Sequence, residues 1–359
     1  MPALLQQIRF CTSHDGVRIA YATSGAGPPL VKAANWLSHL EYDGSSPVWV
    51  HLLRELSRHN TLVRYDARGC GLSDWDAELS FEAWVCDLEA VVDASASERF
   101  ALLGISQGAS IAIAYAVRHP QRVTHLILHG GYARGRLKWS GASKAAEEGE
   151  MMIKLAELGW GQQNPAFRQF FTTQFIPDGT SAQHQWFNEL ERISTSPSNA
   201  ARFMRVVHEI DVVRLLQQIS CPTLVFHSVR DARVPFEEGR LIATSISGAR
   251  FVPLESNNHL LLESEPAWRR FVAELRAFLP AAEVRDPAFG SLTPRERDLI
   301  ELIAQGRDNA QIAAQLGVSA KTVRNHITSI FAKLEVENRA QAIVLARKAG
   351  FGTAVPGAA

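Results

Sequence analysis

FALLGISQGASIAIAYAVRH, residues 100–119, decides how the larger part of the chain is built. Residues 100–104 form a short, continuously apolar run, the mark of a strand buried on both faces. From 109 to 119 apolar residues recur at three- and four-residue spacing, which predicts a helix. Between them stands Gly104-Ile105-Ser106-Gln107-Gly108. A GxSxG pentapeptide alone carries little information. Between a strand and a helix it predicts a tight turn, permitted by the glycines, that lifts Ser106 above the sheet as a nucleophile.

The same alternation extends outward to about residue 280. Short runs rich in Val, Ile and Leu predict strands at 17–23, 30–34, 61–65, 123–128, 223–227 and 250–254. Helical periodicity fills 48–59 and 81–94. Strand and helix in turn predict an α/β domain with a mostly parallel sheet covered by helices on both faces. Residues 132–219 break the rhythm. They hold helix-like patches such as 145–158 and large apolar residues, among them Trp160, Phe167, Phe170, Phe171, Phe175, Trp186 and Phe187. This stretch predicts a helical lid over a sheet edge, with some of its aromatics facing a pocket.

A serine nucleophile needs a base, and the base an orienting acid. Asp231 follows the strand at 223–227 in HSVRDARVP, and His259 follows the strand at 250–254 in ESNNHLLLE. Both fall in loops after strands, at the same sheet edge as Ser106, in the order Ser, Asp, His that this architecture uses. His227 lies within a strand and His129 precedes the acid, so both fit less well. The triad expected is Ser106, Asp231 and His259.

A closing helix is predicted at 267–279. Then PAAEVRDPAFGS, 280–291, has no periodicity and reads as a linker. This divides the chain into 1–280, a linker at 281–291, and a small all-α domain at 292–352. Thr293-Pro294-Arg295-Glu296 is a helix start with a cap, a proline at the first helical position and a capping box. A second helix begins after Asp308 and stops before Gly317. Ser319 caps a third, expected from Lys321 to Leu334. Helix, short glycine turn and helix is the helix-turn-helix pattern. In the third helix Val323, Ile327, Ile330 and Leu334 form one apolar stripe. Lys321, Arg324, Asn325 and Thr328 lie away from it, flanked by Thr322, His326 and Lys333. No acidic residue occurs from Lys321 to Lys333, so the helix can enter a DNA groove without setting carboxylates against phosphates.

The run LTPRERDLIELIAQGRDNAQIAAQLGVSAKTVRNHITSIFAKLEVENRAQAIVLARKAG, 292–350, resembles the four-helix DNA-binding domain of LuxR-type transcriptional regulators. LTPRE, IA..LGVS, KTVRNH and KL.V.NRAQA carry the resemblance. It implies that the third helix reads double-stranded DNA. Arg324, Asn325 and Thr328 would then face base edges, and Lys321, Thr322, His326 and Lys333 would face phosphates. The final helix, 339–349, is similar to the one that pairs subunits in that family, which implies a homodimer on a roughly palindromic site. Residues 1–280 resemble an α/β-hydrolase, through the serine turn and through TLVRYDARGCGLSD at 61–74. Many relatives carry His-Gly after the third strand; here the place reads Lys32-Ala33-Ala34-Asn35-Trp36. Backbone amides need no His-Gly, so Asn35 or Trp36, with Gln107, remain the expected oxyanion donors. The His-Gly-Gly at 129–131 lies after the serine turn and is not that motif.

The 359 residues carry 37 basic and 37 acidic side chains, a formal net charge of zero. A neutral chain has no global pull toward DNA, so binding must come from a local basic surface, doubled by pairing. Cys11, Cys70, Cys86 and Cys221 are scattered, which suits reduced thiols. The first residues lack a signal-peptide pattern, and no apolar run nears the ~20 residues that span a bilayer. A cytoplasmic protein without membrane association is expected. With no P-loop and no GxGxxG, no cofactor is expected, and His125 and His129 are too far apart along a strand to share a metal. These readings combine into a DNA-binding regulator that acts on the transcription machinery under control of a small apolar or ester-like effector. The alternative is a serine hydrolase of esters or lactones with an appended DNA-binding domain. Ser106→Ala separates a pure receptor from one that also hydrolyses its effector.

Overall fold

The computed structural model describes residues 4–95, 97–139, 142–279, 289, 291–349 and 351–352. Of the linker expected at 280–291 only Phe289 and Ser291 fall among them, and the tail beyond Gly352 lies outside them. The chain divides into two units, Met1–Ala281 and Ala282–Ala359.

Unit 1 is organised by one eight-stranded sheet. In chain order its strands are β1 Gln7–Thr12, β2 Arg18–Ser24, β3 Pro29–Lys32, β4 Thr61–Tyr65, β5 Phe100–Ile105, β6 Val123–His129, β7 Thr223–Ser228 and β8 Arg250–Leu254. Their spatial order is β1-β2-β4-β3-β5-β6-β7-β8. The β1–β2 and β2–β4 pairings are antiparallel and all others are parallel. Every residue of β5 is buried, as a central strand covered on both faces requires. β1 is a half-exposed edge strand that the sequence reading does not foresee, since neither of its faces is consistently apolar.

Helices α1 Leu40–Asp43, α2 Val50–Ser57, α3 Phe81–Ala94 and α4 Gln107–Arg118 connect the first six strands, and α9 Phe236–Ser245 and α10 Pro266–Phe278 flank β8. Phe271 of α10 packs on Phe226 of β7 at 4.6 Å and on His129 of β6 at 5.4 Å. Between β6 and β7 the chain leaves the sheet for α5 Ala142–Gly159, α6 Ala166–Phe175, α7 Ser181–Ser194 and α8 Pro197–Glu209. Local chemistry starts the last two: Thr180 and Gln183 form a capping box for α7, and Ser196 caps α8 with Pro197 at its first position. The insertion's aromatics mostly pack inward. Trp160, Phe171 and Phe187 are buried, Trp160 meets Trp36 edge-on at 5.6 Å, and Phe203 stacks on Trp84 of α3 at 4.9 Å.

Unit 2 holds α11 Pro294–Ala304, α12 Asn309–Leu316, α13 Ala320–Lys333 and α14 Arg339–Lys348. Capping boxes at Thr293/Glu296 and Asp308/Gln311 begin the first two, Ser319 caps the third, and Gly317 ends α12 in the left-handed conformation. Val323, Ile327, Ile330 and Leu334 enter a core shared with Leu299, Ile303 and Ile312. Among the described residues, no helix of the chain is long and apolar enough to cross a membrane.

Candidate active site and nucleic-acid interface

Ser106 ends β5 and precedes α4 with φ 54° and ψ −125°, a conformation side-chain-bearing residues rarely adopt. Its amide donates to the His129 carbonyl of β6 at 2.9 Å. The glycines around it are required by contact. A Cβ on Gly104 would sit 2.6 Å from Cα of Ala109, and one on Gly108 would sit 2.8 Å from the Ala34 carbonyl oxygen.

The loops after β7 and β8 bring Asp231 and His259 together. His259 Nδ1 lies 2.8 Å from Asp231 Oδ2, both side chains fully buried. Asp231 Oδ1 accepts from the amides of Arg233 at 2.8 Å and Val234 at 2.9 Å, which fixes the carboxylate plane. Burial pushes the Asp231 carboxyl up, but His259, bonded to it, and nearby His227 outweigh that and hold it below the ordinary carboxylate range. His259 Nε2 is buried and makes no hydrogen bond among the described residues, so Ser106 and His259 stand without a direct bond. Such contacts commonly close only around a bound reactant.

The base loop is braced by residues the sequence reading passes over. His129 Nε2 lies 3.1 Å from the His259 carbonyl, and burial brings the His129 pKa down to about 4. A Cβ on Gly130 would sit 3.0 Å from Cε1 of the His259 ring. The amides of His259 and Leu260 both donate to the Phe175 carbonyl at the end of α6, at 2.9 and 3.1 Å. The His-Gly-Gly at 129–131 therefore supports the base. Only the pairing of β6 with β7, invisible along the chain, reveals it.

Of the expected oxyanion donors, Trp36 and Gln107 line the same pocket as Ser106. The amides of Trp36, Gln107 and Asn35 alike have no hydrogen-bond partner among the described residues. Asn35 is placed differently. Its side chain donates to the Trp36 carbonyl at 3.0 Å and accepts from Lys32, on the wall of a separate polar cavity that Asp43 and Arg64 also line. A buried lysine must find an acceptor, and Asn35 supplies it.

The pocket over Ser106 holds about 420 Å³ of empty space, counting its open mouth. Phe175, Trp139, Val207 and Val234 give it apolar walls, and Tyr132, Arg136, His208 and Arg233 bring polar groups. Of the aromatics expected to face a pocket, Phe175 does so. Arg136 pairs with Glu148 at 3.0 Å, whereas Arg233 donates to Gln174 Oε1 at 3.0 Å. Isolated arginines and a histidine in an insertion ordinarily read as solvated residues, so the sequence gives no signal for this cluster.

On α13, Lys321, Arg324, Asn325 and Thr328 are exposed, and Thr322 and His326 are half-buried. The Thr322 hydroxyl is shared with Ser319 at 2.9 Å. Lys333 is the exception to the phosphate-facing set: its ammonium is held 2.6 Å from buried Glu296 Oε2. Glu296 also accepts from Ser329 at 2.7 Å and from the Thr293 amide at 2.8 Å. The Lys333 bond above all, against the opposing effect of burial, brings the Glu296 pKa down to about 2.

Residues 42–266 match the alpha/beta hydrolase fold family, and residues 290–346 match the bacterial regulatory proteins of the luxR family. A pyrrolizixenacetamide deacetylase from Xenorhabdus hominickii is 27% identical over 272 residues, covering 74% of this chain and 96% of that protein. The transcriptional regulatory protein DesR of Bacillus subtilis (strain 168) is 43% identical over 60 residues, 17% of this chain and 30% of that protein. Among solved structures, a hydrolase from Pseudomonas aeruginosa PA01 superimposes with a TM-score of 0.64 at 24% identity, covering 77% of this chain and 99% of that one.

Proposed function

Because the chain belongs to the alpha/beta hydrolase fold family and carries a LuxR-type DNA-binding domain at its C-terminal end, we propose that it is a cytoplasmic transcriptional regulator governed by a small molecule held over Ser106. The observation that carries the reading is the exposed, acid-free face of α13, Lys321, Arg324, Asn325 and Thr328, on the same chain as a formed Asp231–His259 pair. Arg324, Asn325 and Thr328 read base edges, and Lys321 and Thr322 hold phosphates, with His326 beside them. Two chains pair through α14, whose Val344 exposes 54% of its surface beside Val336 and Ala340. Pairing doubles a modest basic surface and sets two α13 helices on one duplex. A ligand that enters under the α5–α8 lid shifts the occupancy of such a dimer on its operator if it favours one arrangement by a few kcal/mol. Residues 281–291 serve as the linker across which that preference acts.

The site also supports hydrolysis. His259 takes the Ser106 hydroxyl proton as the oxygen attacks an ester or lactone carbonyl, Asp231 holds the resulting imidazolium, and the amides of Trp36 and Gln107 receive the oxyanion. The second reading, a serine ester or lactone hydrolase merely localised by its DNA-binding domain, is favoured by the 2.8 Å Asp231–His259 bond and by a relative named as a deacetylase. Fluorescence anisotropy with fragments from upstream of the chain's own gene, across a salt series and with ester and lactone pools, tests the first reading. Salt-sensitive preference for one fragment, altered by a compound, is the expected result. If every fragment binds alike and no compound changes binding, the regulator reading fails. Ser106→Ala then divides the remainder: a receptor still responds to ligand, and one that clears its effector responds for longer.

A further inference from the structure

Arg233 stands beside Ser106 without an ion-paired carboxylate among the described residues. It is half-buried in the wall of the Ser106 pocket. Its guanidinium donates to Gln174 Oε1 at 3.0 Å, touches Met152 Sδ at 3.6 Å and lies 5.5 Å from the centre of the Phe175 ring. Asp231, two residues earlier, is engaged elsewhere: Oδ1 takes two backbone amides and Oδ2 takes His259. A guanidinium partly withdrawn from water without an ion-paired carboxylate bears a desolvation cost that an anionic ligand would offset.

The surroundings sharpen the point. Arg136 lines the same pocket, and its repulsion of Arg233 outweighs the attraction of Asp231. Burial, with that repulsion, brings the Arg233 pKa down to about 10, so the group stays charged at neutral pH. His208 also lines the pocket, and its Nε2 is buried without a hydrogen bond among the described residues. Burial first, then Arg233 and Arg136, bring its pKa down to about 4, so at neutral pH it is an uncharged imidazole with a spare polar atom. Arg136 is ion-paired with Glu148, whereas Arg233 has no carboxylate in ion-pair contact among the described residues, since Asp231 spends its oxygens on two amides and His259. The planar fork of that unpaired arginine suits the two oxygens of a ligand carboxylate.

We propose that the pocket selects small carboxylates, whose carboxylate group rests on Arg233 with Arg136 and His208 close by, and whose apolar body lies along Phe175 and Trp36 toward Ser106. This rests on the reading of the Ser106 pocket as the ligand site and narrows the ligand to acids, or to esters and lactones that carry a free carboxylate. Arg233 also ties the turn that holds Asp231 to α5 and α6, through Met152 and Gln174. A carboxylate that draws the guanidinium off Gln174 thereby loosens one link between the site and the helices above it.

The test uses the full chain and two matched pairs of probes. In the binding arm, calorimetry compares 4-phenylbutyrate with 4-phenylbutanamide, which differ in charge at nearly constant shape. In the turnover arm, mono-4-nitrophenyl succinate is compared with 4-nitrophenyl butyrate. The acid is expected to bind about tenfold or more tighter than its amide. The anionic ester is expected to show a similar advantage in kcat/KM, carried by KM. Arg233→Met should erase both preferences, and Arg233→Lys should restore part of them. Equal affinity for acid and amide in the unmutated protein, or no binding of the acid, overturns the proposal, and that comparison needs no variant to fold. Preference for the acid without turnover of either ester sinks the hydrolytic reading and keeps this one. Turnover of both esters at equal rates, with acid and amide bound alike, does the reverse.

Discussion

Ser106 holds a backbone conformation that costs about 1–3 kcal/mol for a residue with a side chain. The cost is met by the surrounding strand and helix, and it presents the hydroxyl at the pocket floor. Glycine visits this region freely, whereas alanine does not. Ser106→Gly should therefore unfold at a higher temperature than Ser106→Ala, with both inactive toward 4-nitrophenyl esters. Equal melting temperatures would show that the turn is unstrained. The triad candidates were legible in sequence because each follows a strand, and strands are the most readable elements of this chain. Arg233, Arg136 and His208 were not legible, because they come from three separate segments and acquire meaning only where those segments meet around a cavity.

At the scale of elements, Glu296 ties α11 to α13. It closes the capping box with Thr293 and holds Ser329 and Lys333 across the helix pair. Its pKa falls from an ordinary 4.5 to about 2 in the folded chain. Such a group contributes stability that is complete above its unfolded value and is lost as pH falls through the folded one. Hydrogen exchange of the α11 and α13 amides in the full chain should show the native protein better protected than Glu296→Gln at about pH 6, with the difference shrinking toward about pH 3. A difference that stays constant with pH would contradict the depressed value. The two lysines of α13 should likewise part company. Lys321→Ala should lower the salt dependence of DNA binding by about one ion without loosening the helix. Lys333→Ala should loosen α11 and α13 and leave that salt dependence unchanged. Among strands, β4 and β8 fall where the sequence reading put them, because short runs built on Leu, Val and Phe and bounded by polar or glycine-containing turns read as strands. The edge strand β1 escaped because its exposure follows no strict alternation.

At the scale of the whole molecule, a chain of zero net charge has no global pull toward DNA, and on the proposed reading pairing doubles its local basic surface. Val344→Glu, on the exposed strip of α14, should shift sedimentation from dimer toward monomer and weaken operator binding in proportion. A variant that stays dimeric with normal affinity would place the pairing surface elsewhere.

One bond pattern reaches further than its size. The Phe175 carbonyl takes two amides, those of His259 and Leu260, so the end of α6 and the loop that carries the imidazole share one acceptor. Were α6 to withdraw, the ring would lose that anchor and keep only its ties to Asp231 and His129. On the hydrolytic reading, entry of a molecule and its cleavage would then be successive events linked by one peptide group.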